Sequence, residues 1–177
     1  MVKPKDLASS IRSVPDFPKK GIVFRDITTL LKDPASFKGA LDTLADRYEA
    51  VHIDKIVGIE SRGFIFGAAL SDRLNVGFIP ARKPGKLPAQ TLKEEYELEY
   101  GRDSIEIHAD AIKPGEHILI HDDLLATGGT AAATCRLVER MSGIIVGCSF
   151  LIELAFLNGR ERLKGYDLFS IIQYHSE

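Results

Sequence analysis

Two adjacent acids followed by a Thr-Gly-Gly-Thr run carry the most chemical meaning in this chain. Asp122 and Asp123 stand directly after the apolar Ile118-Leu119-Ile120 and its His121, and Leu124, Leu125, Ala126, Thr127, Gly128, Gly129 and Thr130 follow them, leading into an alanine-rich stretch. The apolar run reads as a buried strand and the alanine-rich stretch as a helix. In an open α/β sheet, ligands bind at the carboxyl ends of strands. Two acids placed there are costly unless cations or hydroxyl donors meet them. Two glycines let the backbone approach an anion closely, and the helix beyond offers unpaired N–H groups and the positive end of its dipole. Thr127 and Thr130 add hydroxyl donors. The loop therefore presents acceptors for sugar hydroxyls at its start and donors for a phosphate at its end, which together describe a ribose 5-phosphate unit. Each piece alone is an ordinary turn or an ordinary cap; the combination after an apolar strand is what is specific. The order is neither that of a Walker loop nor that of a GxGxxG fingerprint.

The surrounding elements must hold this loop in place. Apolar runs at 55–59, 76–80, 118–120, 144–152 and 168–172 read as five strands, with helices over 64–74 and 130–141 and a short helix near 158–163. Strands alternating with helices predict an α/β fold with a mostly parallel five-stranded sheet flanked by helices. Upstream, Leu7, Ile11 and Val14 lie at helical spacing and Pro15 and Pro18 end the pattern. Lys20-Gly21 is a turn signal, and the apolar Ile22-Val23-Phe24 runs into Arg25-Asp26. Phe37, Leu41, Leu44 and Tyr48 predict a helix after Pro34. Residues 81–109 break the rhythm with Pro84, Gly85, Pro88 and Gly101. Alternation over 91–99 and 104–108 predicts a two-stranded excursion, and a long polar excursion in a compact domain suits a lid or binding loop.

The chain of 177 residues fits one domain, 45% hydrophobic and 27% charged. Its net charge of −2 provides no general basic field for nucleic acid. No signal-like run and no apolar stretch of ~20 residues is present, so no membrane partner is expected and the default location is the cytoplasm. Cys135 and Cys148 lie outside any CxxC pair and read as free thiols. His117 and His121 are four apart, a zinc spacing on a helix but ~13 Å on a strand, so no metal site is expected from them.

Residues 118–130 resemble the phosphoribosyl pyrophosphate signature of the type I phosphoribosyltransferases, in the form carried by adenine phosphoribosyltransferases. Four further segments are similar to the family's, in the family's order. Gly21 through Ile27, containing Val23, Phe24 and Arg25, resembles its purine-binding segment. Gly58-Ile59-Glu60-Ser61-Arg62-Gly63-Phe64 resembles its pyrophosphate loop. Arg82-Lys83-Pro84-Gly85-Lys86-Leu87-Pro88 resembles its basic loop, and Leu98-Glu99-Tyr100-Gly101 the acidic part of its flap. Two positions depart from the pattern: His121 stands where an aliphatic residue is usual, and Glu60 where many relatives carry Asp.

The resemblance implies one domain over 1–177, with an N-terminal hood over 1–33 and a mobile flap over 82–109. It implies that adenine and phosphoribosyl pyrophosphate give AMP and pyrophosphate, as in purine salvage, in a homodimer using Mg2+. Asp122 and Asp123 would accept from the ribose hydroxyls and suit oxocarbenium character at the anomeric carbon. Magnesium would be held through substrate oxygens and water, with few protein ligands. Ala126, Thr127, Gly128, Gly129 and Thr130 would cradle the 5-phosphate. Glu60, Ser61 and Arg62 would stand at the pyrophosphate, in a loop that in the family often contains a non-proline cis peptide, and Arg82, Lys83 and Lys86 would complete the clamp. Adenine would meet the backbone of Val23, with Phe24 and Leu124 on its faces and Arg25 nearby. Glu99 would manage the proton at purine N7 and Tyr100 would close over the site. The alternatives are a 6-oxopurine phosphoribosyltransferase, which adenine and hypoxanthine competition separates, and a non-catalytic sensor of phosphoribosyl pyrophosphate, which would need an added partner-binding element.

Overall fold

The computed structural model describes residues 4–97 and 101–177. The chain begins with helix α1 (Pro4–Ser9), strand β1 (Arg12–Val14), strand β2 (Phe24–Asp26), the one-turn helix α2 (Thr28–Leu31) and helix α3 (Pro34–Tyr48). It continues through β3 (Lys55–Ile59), α4 (Gly63–Leu74), β4 (Gly77–Ala81), β5 (Thr91–Glu97) and β6 (Arg102–His108). The last third holds β7 (His117–Leu125), α5 (Gly129–Arg140), β8 (Ile144–Leu154), two 3-10 turns (Ala155–Leu157 and Gly159–Leu163) and β9 (Leu168–Tyr174).

The main sheet runs β4-β3-β7-β8-β9 and every neighbouring pair is parallel, the five-stranded arrangement that the alternating pattern predicts. Alternation along β7 sends Ile118 and Ile120 into one core and Leu119 into the other. The first core packs α5 through Leu137 and Val138, and the second packs α3 and α4 through Leu44, Phe66 and Leu70. Helix α3 starts sharply because Asp33 accepts from the Ser36 N–H at 2.8 Å and Pro34 occupies the first turn. Strands β5 and β6 form the expected antiparallel ribbon. Its base is not a free arm: Tyr96, Ile105 and Ile107 are buried in the first core.

Three expectations need correction. The helix expected through Leu7, Ile11 and Val14 stops at Ser9, and Arg12–Val14 is a strand antiparallel to β2. Leu7 and Ile11 are still buried, but Val14 pairs with Phe24, and Arg12 ion-pairs with Asp26 across the two strands. A backbone ladder to a segment twelve residues downstream thus overrides the helical spacing. The helix expected at 158–163 is a 3-10 turn. Strand β7 runs on to Leu125, so Asp122 and Asp123 lie on the strand itself, not in the loop after it.

Candidate active site

Strand alternation points Asp122 and Asp123 to opposite faces at the end of β7. Asp123 is buried and Asp122 half-buried. Asp122 Oδ1 accepts from the Asp123 N–H at 2.8 Å. Burial and the neighbouring Asp123 carboxylate push the Asp122 carboxyl well above the ordinary carboxylate range. Burial also raises Asp123, against the pull of Arg62. The start of α4 comes so close to this pair that a Cβ at Gly63 would lie 2.8 Å from Asp122 Oδ1. Beyond the acids, Gly128 adopts φ 79°, a left-handed turn that glycine accommodates, and α5 starts at Gly129. A cavity of about 80 Å³ opens inside this turn, lined by Asp122 and residues 124–131. It is small, and a hollow of about 610 Å³ at the other end of the sheet, beside Asp54 and Asn75, is larger. The small one nonetheless has the chemistry, since backbone N–H groups of a helix start line it.

Arg62 joins this region to the N-terminal segment. It caps α4, and its Nε stands 3.0 Å from Asp123 Oδ2, an ion-pair distance without the alignment of a hydrogen bond. The same guanidinium lies 5.2 Å over the Phe24 ring. The loop from β3 into α4 contains a cis peptide between Glu60 and Ser61, and Ser61 is exposed. Phe24 opens β2, with Val23 just outside the ladder, and the exposed Phe17 meets the Phe24 ring edge-on at 5.3 Å. Arg25 turns away from Arg62: it stacks on Tyr174 at 3.9 Å and donates to Ser13 Oγ at 2.5 Å. Leu124, half-buried, packs on the second core.

The basic loop is partly neutralised. Arg82 ion-pairs with Glu60 at 3.2 Å, and the Lys83 N–H donates to the same carboxylate at 2.8 Å. Burial works against ionisation of Glu60, but these donors together outweigh it and hold the carboxyl below its usual range. The Lys83 ammonium points to the ribbon, donating to Tyr96 Oη at 2.8 Å and pairing with Asp103. Lys86 is exposed. Glu99 and Tyr100 lie outside the described residues.

Several residues at this site escaped the sequence reading. Tyr96 reaches both ways: its hydroxyl takes the Lys83 ammonium, and its ring would be 3.3 Å from a Cβ at Gly129. Gly159 backs the 126–130 loop. A Cβ at Gly159 would collide with the Ala126 carbonyl oxygen, and one at Gly128 would lie 2.6 Å from the Gly159 carbonyl oxygen. The turn carrying Gly159 is tethered by Arg160, which donates to the buried Glu153 at 2.6 and 2.8 Å. The only local signal of this is Asn158-Gly159, an ordinary turn dipeptide. His121 is fully buried and its Nδ1 lies 2.8 Å from Ser149 Oγ; burial pushes its pKa down to about 3, so it is a neutral core residue. Gly67 packs closely against Phe78, where a Cβ would come within 3.0 Å of that ring, while its distance to the His121 ring would be an ordinary contact.

A model of the phosphoribosyl transferase domain matches residues 26–175. An adenine phosphoribosyltransferase of Christiangramia forsetii is 58% identical over 169 residues, covering 96% of this chain and 99% of the relative. The crystal structure of adenine phosphoribosyltransferase from Thermoanaerobacter pseudethanolicus superposes with a TM-score of 0.95 at 53% identity, covering 97% of this chain and 100% of that one. That of the Saccharomyces cerevisiae enzyme, complexed with an imino-altritol bisphosphate and adenine, gives 0.90 at 41% identity, covering 95% and 97%. With the parallel sheet, the strand-end acids and full-length similarity in agreement, the chain belongs to the phosphoribosyltransferase family, on its adenine phosphoribosyltransferase branch.

Proposed function

We propose that this chain transfers the 5-phosphoribosyl group from phosphoribosyl pyrophosphate to adenine, forming AMP and pyrophosphate. The observation that carries the reading is the position of Arg62, with one guanidinium beside both Asp123 and the Phe24 ring. It brings the proposed ribose and purine subsites within one side chain of each other, as joining an anomeric carbon to purine N9 requires.

The roles follow from charge. The ribose hydroxyls donate to Asp122 and Asp123, and the 5-phosphate accepts from the N–H groups and hydroxyls of 126–130. Departure of pyrophosphate leaves positive charge on the ribose, and two carboxylates raised by burial, Asp122 also by its neighbour's charge, are stabilised as that charge grows. Arg62, with Ser61, holds the departing pyrophosphate, while Arg82, Lys83 and Lys86 border it. Asp122 and Asp123 also fit magnesium: they are oxygen donors, and Asp123 Oδ2, beside Arg62, has no hydrogen bond. Asp122 and Asp123 would hold Mg2+ together with the substrate, and the ion would supply charge neutralisation to the pyrophosphate.

Adenine recognition rests on the Val23 backbone. Its N–H donates to N1 and its C=O accepts from the 6-amino group, with Phe24 and Leu124 on the ring faces and Arg25 nearby. Hypoxanthine sets donor against donor and acceptor against acceptor there, at about 1–3 kcal/mol for each unmatched group. Glu99 takes the N7 proton as N9 becomes nucleophilic, and the flap, with Tyr100, excludes water from the cationic ribose. The homodimer and the cytoplasmic location are proposed on the family alone. Among the described residues no helix is long and apolar enough to cross a membrane.

The test is AMP formation from adenine, phosphoribosyl pyrophosphate and Mg2+, with hypoxanthine as competitor; equal turnover of both bases would sink the Val23 assignment. Glu99→Gln is expected to lower kcat more than adenine affinity, and the reverse split would move Glu99 to a binding role.

A further inference from the structure

At the end of the sheet away from the acids, three side chains that the reaction does not use converge. His52 and Asp54 precede β3, and His117 opens β7. His52 Nε2 lies 3.5 Å from Asp54 Oδ1, and His117 Nδ1 lies 3.5 Å from Asp54 Oδ2. One donor atom from each of the three falls within 4.8 Å of the others. We propose that His52, Asp54 and His117 form a binding site for a divalent transition-metal cation of the zinc type, separate from the phosphoribosyl site.

The donor set supports this. Two imidazoles and one carboxylate are the ligands of three-residue zinc sites, with a fourth position left to water. They favour a borderline cation over magnesium, which prefers oxygen throughout. The spacing fits as well. Ligand atoms about 2.1 Å from one ion lie about 3.4 Å apart at tetrahedral angles and at most about 4.2 Å apart. Each histidine already lies near that value from one oxygen of the Asp54 carboxylate, His52 from Oδ1 and His117 from Oδ2. With all three donor atoms within 4.8 Å of one another, closing onto one ion takes less than about 1 Å, which rotation of the His52 ring, 71% exposed, can supply.

The anchor is held in place before any ion arrives. Asp54 Oδ2 accepts from the His117 N–H at 2.7 Å, the Asp54 N–H donates to the His117 carbonyl at 2.8 Å, and the Asp54 carbonyl accepts from Gly77 N–H at 3.1 Å. The adjacent Lys55 and Glu116 neutralise each other at 2.7 Å, so the charge left facing the two imidazoles is that of Asp54. A bound ion would tie the loop before β3 to the start of β7, two segments sixty residues apart, and so stabilise the folded chain. His117 and Asp122 are five strand residues apart, about 17 Å, so turnover should not respond.

Metal-free protein would be titrated with Zn2+ and, in parallel, with Co2+, in buffer containing Mg2+. One equivalent is expected to bind and raise the melting temperature, and Co2+ should give the intense visible bands of a four-coordinate site. His52→Ala and His117→Ala should each weaken binding by more than about tenfold and leave AMP formation unchanged. Binding that persists in the double variant, or a pale six-coordinate Co2+ spectrum, overturns the proposal. Thiolate charge-transfer bands would also overturn it, because they would place the ion at Cys135 and Cys148, whose Sγ atoms are 3.7 Å apart in the core.

Discussion

Two neighbouring strands end in buried carboxylates that are treated in opposite ways. Glu153, near the end of β8, accepts two bonds from Arg160 and others from Ser170 and Gln173. Burial works against its charge, but these donors together outweigh it, and its carboxyl sits below the ordinary range. Asp123, on β7, has Arg62 at 3.0 Å without an aligned hydrogen bond, and its carboxyl sits above that range. Glu153 is a finished structural contact that fixes the turn behind the 126–130 loop. Asp123 and its neighbour Asp122 are raised above the ordinary range with few hydrogen-bond donors around them, which a substrate with hydroxyls and a developing cation could use. Partner count, more than burial, separates a carboxylate that holds the fold from one that awaits a ligand.

The comparison can be broken at either strand. The largest effect is expected from Asp123→Asn, which should keep the fold and lower kcat by about 10²–10³; a variant turning over at the parent rate would remove Asp123 from the ribose. Next, Arg160→Ala leaves Glu153 buried with an uncompensated charge and should cost about 2–3 kcal/mol in urea unfolding, reduced from a fully buried pair because the Arg160 side chain is 44% exposed. Equal urea midpoints would show that Ser170 and Gln173 suffice. Gly159→Ala pushes the Ala126 carbonyl and should lower kcat/KM for phosphoribosyl pyrophosphate by about ten- to a hundredfold with a smaller change for adenine. Parallel losses for both substrates would mean a general loss of folded enzyme.

The smallest effects are on pH dependence, and their signs differ. The Asp122 carboxyl is raised above its ordinary value of 3.8, so its contribution to stability is present below that value and is lost as pH rises through the folded pKa. Asp122→Asn should therefore gain stability over the parent as pH rises, while losing turnover. The Glu153 carboxyl is lowered from 4.5, so its contribution is present above that value and fades as pH falls through the folded pKa. Glu153→Gln should flatten the acid side alone. Urea midpoints at acidic, neutral and mildly alkaline pH check both, and slopes of the same sign in the two variants would contradict the contrast.

Legibility followed range along the chain. The five strands could be read because buried parallel strands are short apolar runs between turn residues, and α3 because Asp33-Pro34 marks its start. The segment 10–14 was misread because three apolar residues at helical spacing carry no record of a partner strand twelve residues away. The 3-10 turn at Gly159–Leu163 reads in sequence as a helix because its spacing differs from helical spacing by less than one residue per turn.

The sequence by itself determined the order of chemical groups: acids, then glycines, then a helix start, at the end of an apolar strand. That order is local, so periodicity and turn chemistry suffice to read from it a loop suited to sugar hydroxyls and an anion. Only the tertiary structure decided which side chains meet those groups. It set Arg62 between Asp123 and Phe24, packed Gly159 against Ala126, drew Lys83 toward the ribbon, and paired Glu153 while leaving Asp123 short of partners. Each of these depends on strand order and on crossings that bring residues tens of positions apart within a few ångströms, and no spacing rule along one chain contains that information.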